Sequence, residues 1–205
     1  MAERMRAREL RKPQPRLGWP DLRANALIVS LALAAVAASL AVAPDSRGVF
    51  AAGLALIAIA IAVVDARHLL IPDELNALGF GLGLGYAGST NHPAVEAIIL
   101  ATLRGAALAL VFLAVRATYQ WLRGRQGIGL GDIKLAAVAG AWLDWQMMSI
   151  AINIAALAAL AAYMARQLVL GRSMRATGRL PFGLFLAPAI WIGWILDQWL
   201  ITAYP

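Results

Sequence analysis

The chain has no cysteine among its 205 residues and only two histidines, His68 and His92. The absence of cysteine excludes disulfides, thiolate zinc sites and cysteine nucleophiles, and two histidines argue against a histidine-based metal site. We therefore expect neither a metal nor a cofactor. Without cysteine, the sequence does not indicate whether the protein resides in an oxidising or a reducing compartment.

Charged residues are also scarce, at 14% of the chain, whereas 61% of the residues are hydrophobic and the mean hydropathy is +0.72. A soluble domain of this size could not bury so much apolar surface, so lipid must be the solvent for most of it. The apolar runs lack the alternation of membrane strands. The sequence predicts an all-α, polytopic membrane bundle.

About seven transmembrane helices can be delimited from the apolar runs and their turn signals. They cover residues 24–43, 49 to about 70, 72 to about 87, 94 to about 115, 132–142, about 146–165 and about 181–200. The third run contains Gly79, Gly81, Gly83 and Gly85, a spacing that favours close packing of neighbouring helices over local unwinding.

The 18 Lys and Arg residues are distributed very unevenly around these predicted helices. Sixteen fall on one face of the membrane, with Arg47 outside and Arg104 within a span, so we expect a cytoplasmic amino terminus. Residues 1–23 form a basic cytoplasmic tail that binds anionic lipid headgroups, and residues 24–205 form the membrane-embedded domain. A nucleic-acid arm is the alternative for the tail, but nothing else in the chain supports nucleic-acid binding.

Three side chains of the predicted helices carry specific expectations. Arg104 needs a partner, and we expect an ion pair with Glu96 or a hydrogen bond to a helix carbonyl, with a contact to the substrate as the alternative. Trp142 and Trp145 fit the membrane interface at the far end of the fifth helix.

Asp65 and Asp132 remain when the acids of the tail, turns, interfaces and helix starts are set aside. Singly, Asp132 could cap a helix and Asp65 could be an interfacial carboxylate. Two apolar runs separate them, so the topology returns both to one side of the membrane. Paired carboxylates share a proton, so that one activates water and the other protonates the reacting group. Peptide hydrolysis needs such a pair and requires no metal.

The stretch before Asp132 contains alternating glycines at Gly127, Gly129 and Gly131. Without side chains, these residues would let a substrate backbone lie against the loop and bind its amides. Phosphate binding is the alternative for such a loop, but the Gly-Lys-Ser/Thr ending of the Walker pattern is missing.

Three stretches resemble one family. They are Gly-Leu-Gly-Asp-Ile-Lys-Leu at 129–135, Asp-Ala-Arg-His-Leu-Leu-Ile-Pro-Asp-Glu-Leu-Asn at 65–76 and Leu-Pro-Phe-Gly-Leu-Phe-Leu at 180–186. Their order, within a core of about residues 60–190, is similar to that of the type IV prepilin peptidases, membrane aspartyl proteases of the GxGD kind (peptidase family A24). The resemblance implies that Asp65 and Asp132 are the catalytic pair. It also implies cleavage of basic leaders from prepilin or pseudopilin precursors at the cytoplasmic face of the inner membrane, in pilus assembly or protein secretion.

The chain departs from the large bifunctional members of this family. Those members carry paired CxxC zinc ligands in an amino-terminal cytoplasmic region and also methylate the new amino terminus. The absence of cysteine and the five residues between the first two predicted helices favour a compact, peptidase-only form. Leu184 replaces a second proline of many relatives, and we assign the Pro-Phe-Gly element to packing near the two acids.

Two other functions remain as alternatives. A proton-coupled transporter or channel also uses intramembrane acids, although it favours acids near the bilayer midplane and internal repeats, and neither is found here. A non-catalytic scaffold of a pilus or secretion machine is the other. The sequence does not predict the oligomeric state.

Overall fold

The computed structural model describes residues 22–125, 127–170 and 181–203. Nearly all of the predicted basic tail therefore lies outside the described residues, as do Arg172, Arg175 and Arg179 of the last connection. By its internal contacts the chain divides into two units, residues 1–31 and residues 32–205. Of the first unit, only the start of one helix is described.

Seven helices and no strand make up the described ranges, which confirms the prediction of an all-α fold. The helices are α1 (Leu22–Val42), α2 (Ser46–His68), α3 (Asp73–Thr90), α4 (Ala94–Arg123), α5 (Leu130–Trp142), α6 (Trp145–Leu170) and α7 (Gly183–Ala203). The helix bounds agree with the predicted runs to within about three residues, with two exceptions. Helices α4 and α6 continue beyond their predicted runs at the carboxyl end, to Arg123 and Leu170.

Five of the seven helices, α1, α2, α4, α6 and α7, are long and apolar enough to cross a membrane. The other two, α3 and α5, do not meet this criterion. With 13 residues, α5 is about 20 Å long, which is shorter than the roughly 30 Å hydrocarbon core of a bilayer. The fold is thus a helical membrane bundle in which two short helices accompany five long ones.

The short helix α5 packs against α3, α4, α6 and α7 within the second unit. Eight of its side chains or glycines are buried, and they run almost without a gap from Ile133 to Trp142. An acid in the first turn of this helix is therefore attached to the most enclosed element of the unit. Any site built there is surrounded by protein rather than by lipid alone.

Trp142 is buried, so the prediction that it lies at the membrane interface was wrong. Its indole Nε1 donates a hydrogen bond to the carbonyl oxygen of Gly79 at 2.9 Å, and its ring stacks on Tyr86 with 5.0 Å between centroids. The physical reason is the length of α5, which ends inside the packed helices. Trp145, at the start of α6, is exposed as expected.

Gly79 and Gly83 of α3 allow α5 to approach closely, which confirms the predicted packing role for these two glycines. A Cβ added at Gly83 would lie 2.8 Å from the indole of Trp142, and one at Gly79 would lie 3.2 Å from Val138. By contrast, no atom among the described residues lies within 4 Å of the corresponding position at Gly81.

Close contact between α4 and α5 also provides Arg104 with its partner. A Cβ at Gly140 would lie 2.6 Å from the carbonyl oxygen of Arg104, and Arg104 Nε donates to the carbonyl oxygen of Gly140 at 3.3 Å. Of the two expected partners, the structure gives the helix carbonyl rather than Glu96. The backbones of α4 and α5 approach closely at this point because Gly140 has no side chain to separate them.

Candidate active site

Asp65 lies in the last turn of α2 and is 5% exposed. The helix ends at Leu69, whose left-handed backbone (φ 53°) directs its N–H to the carbonyl oxygen of Asp65. The carboxylate oxygen Oδ2 of Asp65 accepts a hydrogen bond from the backbone N–H of Leu184 at 2.9 Å. Leu184 is in the first turn of α7, where N–H groups have no partner within the helix and the helix dipole favours a negative charge.

Gly183 lets Asp65 approach the start of α7. A Cβ at this position would lie 2.9 Å from Asp65 Oδ2 and 2.6 Å from Ile71 Cδ1. The Pro-Phe-Gly element therefore packs near the acid, as expected, and it also precedes the amide that holds the carboxylate. The role of the Leu184 amide could not be identified from the sequence. A proline before an apolar run, here Pro181, signals a helix start, but it does not indicate which acid the start faces.

Asp132 is the third residue of α5, because the helix begins at Leu130 with Gly129 as its N-cap residue. Its carboxylate Oδ2 turns back and accepts the backbone N–H of Gly129 at 3.1 Å. Asp132 is thus not itself the N-cap that we considered as an alternative. It makes the return half of a capping box and remains half-buried.

The three glycines before Asp132 face side chains of the protein itself. A Cβ at Gly127 would lie 2.7 Å from the ring of Tyr119, and one at Gly131 would lie 3.0 Å from Ile71. At Gly129 the nearest atom is Asp132 Oδ2, at 3.1 Å. Gly127 and Gly129 are nevertheless exposed, so their backbones remain accessible from the other side.

The last turns of α4 hold this glycine loop. Arg116 Nη1 donates to the carbonyl oxygen of Ile128 at 2.7 Å, and the Tyr119 ring covers Gly127. From the sequence, Arg116 was only one of the positive charges that indicate which face of the membrane is cytoplasmic. Its contact could not be read from spacing, because a loop of glycines does not fix where its carbonyls point.

One buried side chain, Ile71, links the surroundings of the two acids. It lies in the short connection between α2 and α3 and is 8% exposed. A Cβ added at Gly131, which precedes Asp132, would lie 3.0 Å from Ile71, and one added at Gly183 would lie 2.6 Å from Ile71 and 2.9 Å from Asp65 Oδ2, so Ile71 lies beside both glycines. The two acids therefore belong to one neighbourhood, as the predicted topology requires.

Electrostatics connect the acids as well. Burial raises the pKa of Asp132 from 3.8 to about 6, although the hydrogen bond from Gly129 lowers it, and the negative charge of Asp65 adds to the rise. A carboxyl group with this pKa exchanges its proton near neutral pH. Such a group suits general acid or base chemistry.

Other polar groups near the acids are exposed. Lys134 Nζ lies 2.6 Å from Asp73 Oδ2 in an ion pair between α5 and α3, and His68 is on the surface at the end of α2. Across the described parts of the chain, no group of three or more His, Cys, Asp or Glu side chains is arranged to hold a metal ion.

A sequence model of the type IV leader peptidase family matches residues 52–164, a range that contains both acids. Curated relatives named prepilin leader peptidase/N-methyltransferase also match. The protein from Aeromonas hydrophila is 29% identical over 84% of this chain and 59% of its own length. The protein from Burkholderia pseudomallei (strain 1026b) is 36% identical over 78% of this chain and 50% of its own length. The protein from Pseudomonas aeruginosa is 32% identical over 71% of this chain and 49% of its own length.

The chain thus spans about half the length of the curated relatives it matches. No solved structure matches it significantly.

Proposed function

The chain belongs to the type IV leader peptidase family and is a multi-pass membrane protein, and we propose that it is an aspartic endopeptidase. Its substrates are prepilin or pseudopilin precursors, from which it removes a basic leader at the cytoplasmic face of the inner membrane. In this proposal Asp65 and Asp132 are the catalytic residues, residues 24–205 form the membrane-embedded peptidase domain, and residues 1–23 form a basic tail that binds lipid.

The observation that carries the proposal is the common neighbourhood of Asp65 and Asp132. Ile71 contacts the glycines beside both acids, and the charge of Asp65 contributes to the raised pKa of Asp132. Both acids are within about one turn of a helix end, which favours hydrolysis at the membrane edge over a proton relay at the midplane.

The chemistry follows from one proton shared by two carboxyl groups. The Leu184 amide in the first turn of α7 favours the ionised form of Asp65 against the effect of burial, and in this proposal Asp65 is the base that takes a proton from water. Asp132 keeps its proton up to a pH of about 6 and donates it to the developing oxygen or the leaving amine. The water oxygen attacks the peptide carbonyl, and the C–N bond then breaks.

The glycine loop supplies the binding surface in this proposal. The exposed backbones of Gly127 and Gly129 pair with an extended segment of the precursor, as in strand addition. A Cβ at Gly131 would lie 3.0 Å from Ile71, so the role of Gly131 is to let that side chain pack against the start of α5. In this proposal, the apolar helix of the precursor remains in the membrane and its leader lies at the cytoplasmic face, next to the glycine loop.

The experiment that tests the proposal co-expresses the protein with a candidate precursor and determines the precursor's amino terminus by mass spectrometry. Asp65→Asn and Asp132→Asn should each lower the cleavage rate by about 10³-fold or more, because each removes one member of the proton-sharing pair. Asp73→Asn is the matched control, since that acid forms an exposed ion pair with Lys134.

Membrane insertion of the three variants should equal that of the parent protein. Cleavage at the parental rate by either catalytic variant would refute the proposal. The same spectra would also show whether the new amino terminus is methylated.

A further inference from the structure

One peptide group lies between Arg116 and Asp132. Arg116 Nη1 donates to the carbonyl oxygen of Ile128 at 2.7 Å, and the N–H of Gly129 donates to Asp132 Oδ2 at 3.1 Å. The carbonyl of Ile128 and the N–H of Gly129 are the two ends of the same peptide group. The guanidinium therefore contacts the carboxylate through a single rigid unit.

Peptide geometry determines what this contact does. In a trans peptide the C=O and the N–H point in opposite directions within one plane. A donor that fixes the oxygen therefore fixes the direction of the N–H. Here the fixed direction is toward the carboxylate of Asp132.

The loop needs such a constraint because glycines surround the peptide. Gly124, with a positive φ of 65°, Gly127 and Gly129 give the loop a backbone that can rotate easily. The α4 helix, by contrast, is 30 residues or about 45 Å long, so its last turns form a rigid support beyond the hydrocarbon core. Arg116 transfers that rigidity to the loop.

The contact is also electrostatic. The guanidinium is always charged, and the 2.7 Å distance is typical of a charge-assisted hydrogen bond. Such a bond polarises the peptide group and strengthens the hydrogen bond made by its N–H. We infer that Arg116 is a positioning residue, which orients the Ile128–Gly129 peptide so that its N–H holds and tunes the Asp132 carboxylate.

This inference rests on the proposed function for its catalytic meaning. The charged groups on the elements around Asp132, within the described ranges, include Asp65 on α2, Glu74 on α3, Arg104 and Arg123 on α4, and the paired Asp73 and Lys134 on α3 and α5. The paired charges offset each other, whereas the charge of Asp65 raises the pKa of Asp132. Arg116 acts in the opposite direction, so its removal should raise that pKa further.

The test compares Arg116→Gln and Arg116→Lys with Arg123→Gln, a matched loss of charge in the exposed last turn of the same helix. For Arg116→Gln we expect kcat for precursor cleavage to fall about tenfold, because the acid is displaced. The falling limb of kcat/KM against pH should move upward by about 0.5 to 1 unit. Arg116→Lys should recover part of both effects, and Arg123→Gln should retain the parental profile.

A second measurement does not depend on cleavage. The carboxyl carbon of Asp132, assigned through its loss in Asp132→Asn, can be titrated by NMR in the detergent-solubilised protein with ¹³C-labelled aspartate. Its midpoint should rise in Arg116→Gln and stay unchanged in Arg123→Gln.

The two measurements separate the two proposals. If the midpoint rises but the parent protein cleaves no precursor, the proposed function is wrong and the role of Arg116 stands. If the parent protein cleaves and neither the titration midpoint nor the pH profile moves in Arg116→Gln, the inference about Arg116 is wrong. An equal loss of rate at every pH would likewise reduce Arg116 to a structural role.

Discussion

Asp65 and Asp132 are held in different ways, although they lie in one neighbourhood. Asp65 is buried, and its hydrogen-bond donor, the Leu184 amide, is 119 residues away in the sequence. Asp132 is half-buried, and its donor, the Gly129 amide, is three residues away. One acid therefore depends on the docking of α2 against α7, whereas the other is formed by a loop and one helical turn.

This difference indicates a fixed acid and an adjustable one. A carboxylate enclosed by packed helices cannot move without disturbing its neighbours. The Asp132 carboxylate is held through one loop peptide that Arg116 orients but that packed helices do not enclose, so it is the more adjustable of the two. In the proposed mechanism, the pair adapts to a bound peptide through Asp132 while Asp65 stays in place.

The largest expected effect comes from a methyl group added beside the fixed acid. In Gly183→Ala the new Cβ would lie 2.9 Å from Asp65 Oδ2 and 2.6 Å from Ile71 Cδ1, so the carboxylate and Ile71 must shift, which disturbs the hydrogen bond from the Leu184 amide. We expect kcat for precursor cleavage to fall about 10- to 100-fold. In Gly129→Ala the corresponding contact with Asp132 Oδ2 is 3.1 Å, and that side chain can yield, so the loss should be several-fold smaller.

Gly81→Ala is the control for both variants, since the described residues leave open space at that position. Its cleavage rate should match that of the parent protein, and its unfolding temperature should be equal or slightly higher, because alanine favours a helix over glycine. An equal loss in Gly183→Ala and Gly129→Ala would contradict the distinction between a fixed and an adjustable acid.

The next effect concerns where the shared proton resides. The pH dependence of kcat/KM reports ionisations of the free enzyme, so it should fall as the pH rises through about 6, where Asp132 loses its proton. The limb in kcat should lie at higher pH, because bound peptide excludes water and favours the neutral carboxyl group. Initial rates between pH 4.5 and 8.5, corrected for protein stability, measure both limbs.

An independent readout of the same coupling is the NMR titration of Asp132 in Asp65→Asn. The like charge is absent in this variant, so the pKa of Asp132 should fall. A kcat/KM that rises through pH 6 and stays level to pH 8 would contradict the assignment of Asp132 as the proton donor.

Hydropathy and charge were sufficient to predict seven helices, but they did not fix where the helices end. The fourth helix was expected to end near residue 115 and extends to Arg123. The last turns of this helix are polar, and their backbone groups form hydrogen bonds within the helix. A search for apolar runs does not detect such turns. The position of Trp142 was also mispredicted, because hydropathy does not reveal that α5 is only 13 residues long and ends among the packed helices.

The sequence pointed to Asp65 and Asp132, because few acids remained once solvated ones were set aside. It could not supply their partners. The amide of Leu184 and the guanidinium of Arg116 act through backbone atoms, which are the same in every residue type. Only the three-dimensional path of the chain determines which amide or carbonyl lies next to a given acid.

The smallest expected effect concerns the ion pair between Lys134 and Asp73, which joins α5 to α3 near the adjustable acid. The side chains are 49% and 69% exposed, so water screens their attraction. A double-mutant cycle of Lys134→Met and Asp73→Asn, measured by thermal unfolding in detergent micelles, should give a coupling of about 0.2 to 1 kcal/mol. A coupling above about 2 kcal/mol would show that this pair, and not the packing of α5 alone, fixes the helix that carries Asp132. Asp132 would then be held as firmly as Asp65, and the distinction between a fixed and an adjustable acid would not stand.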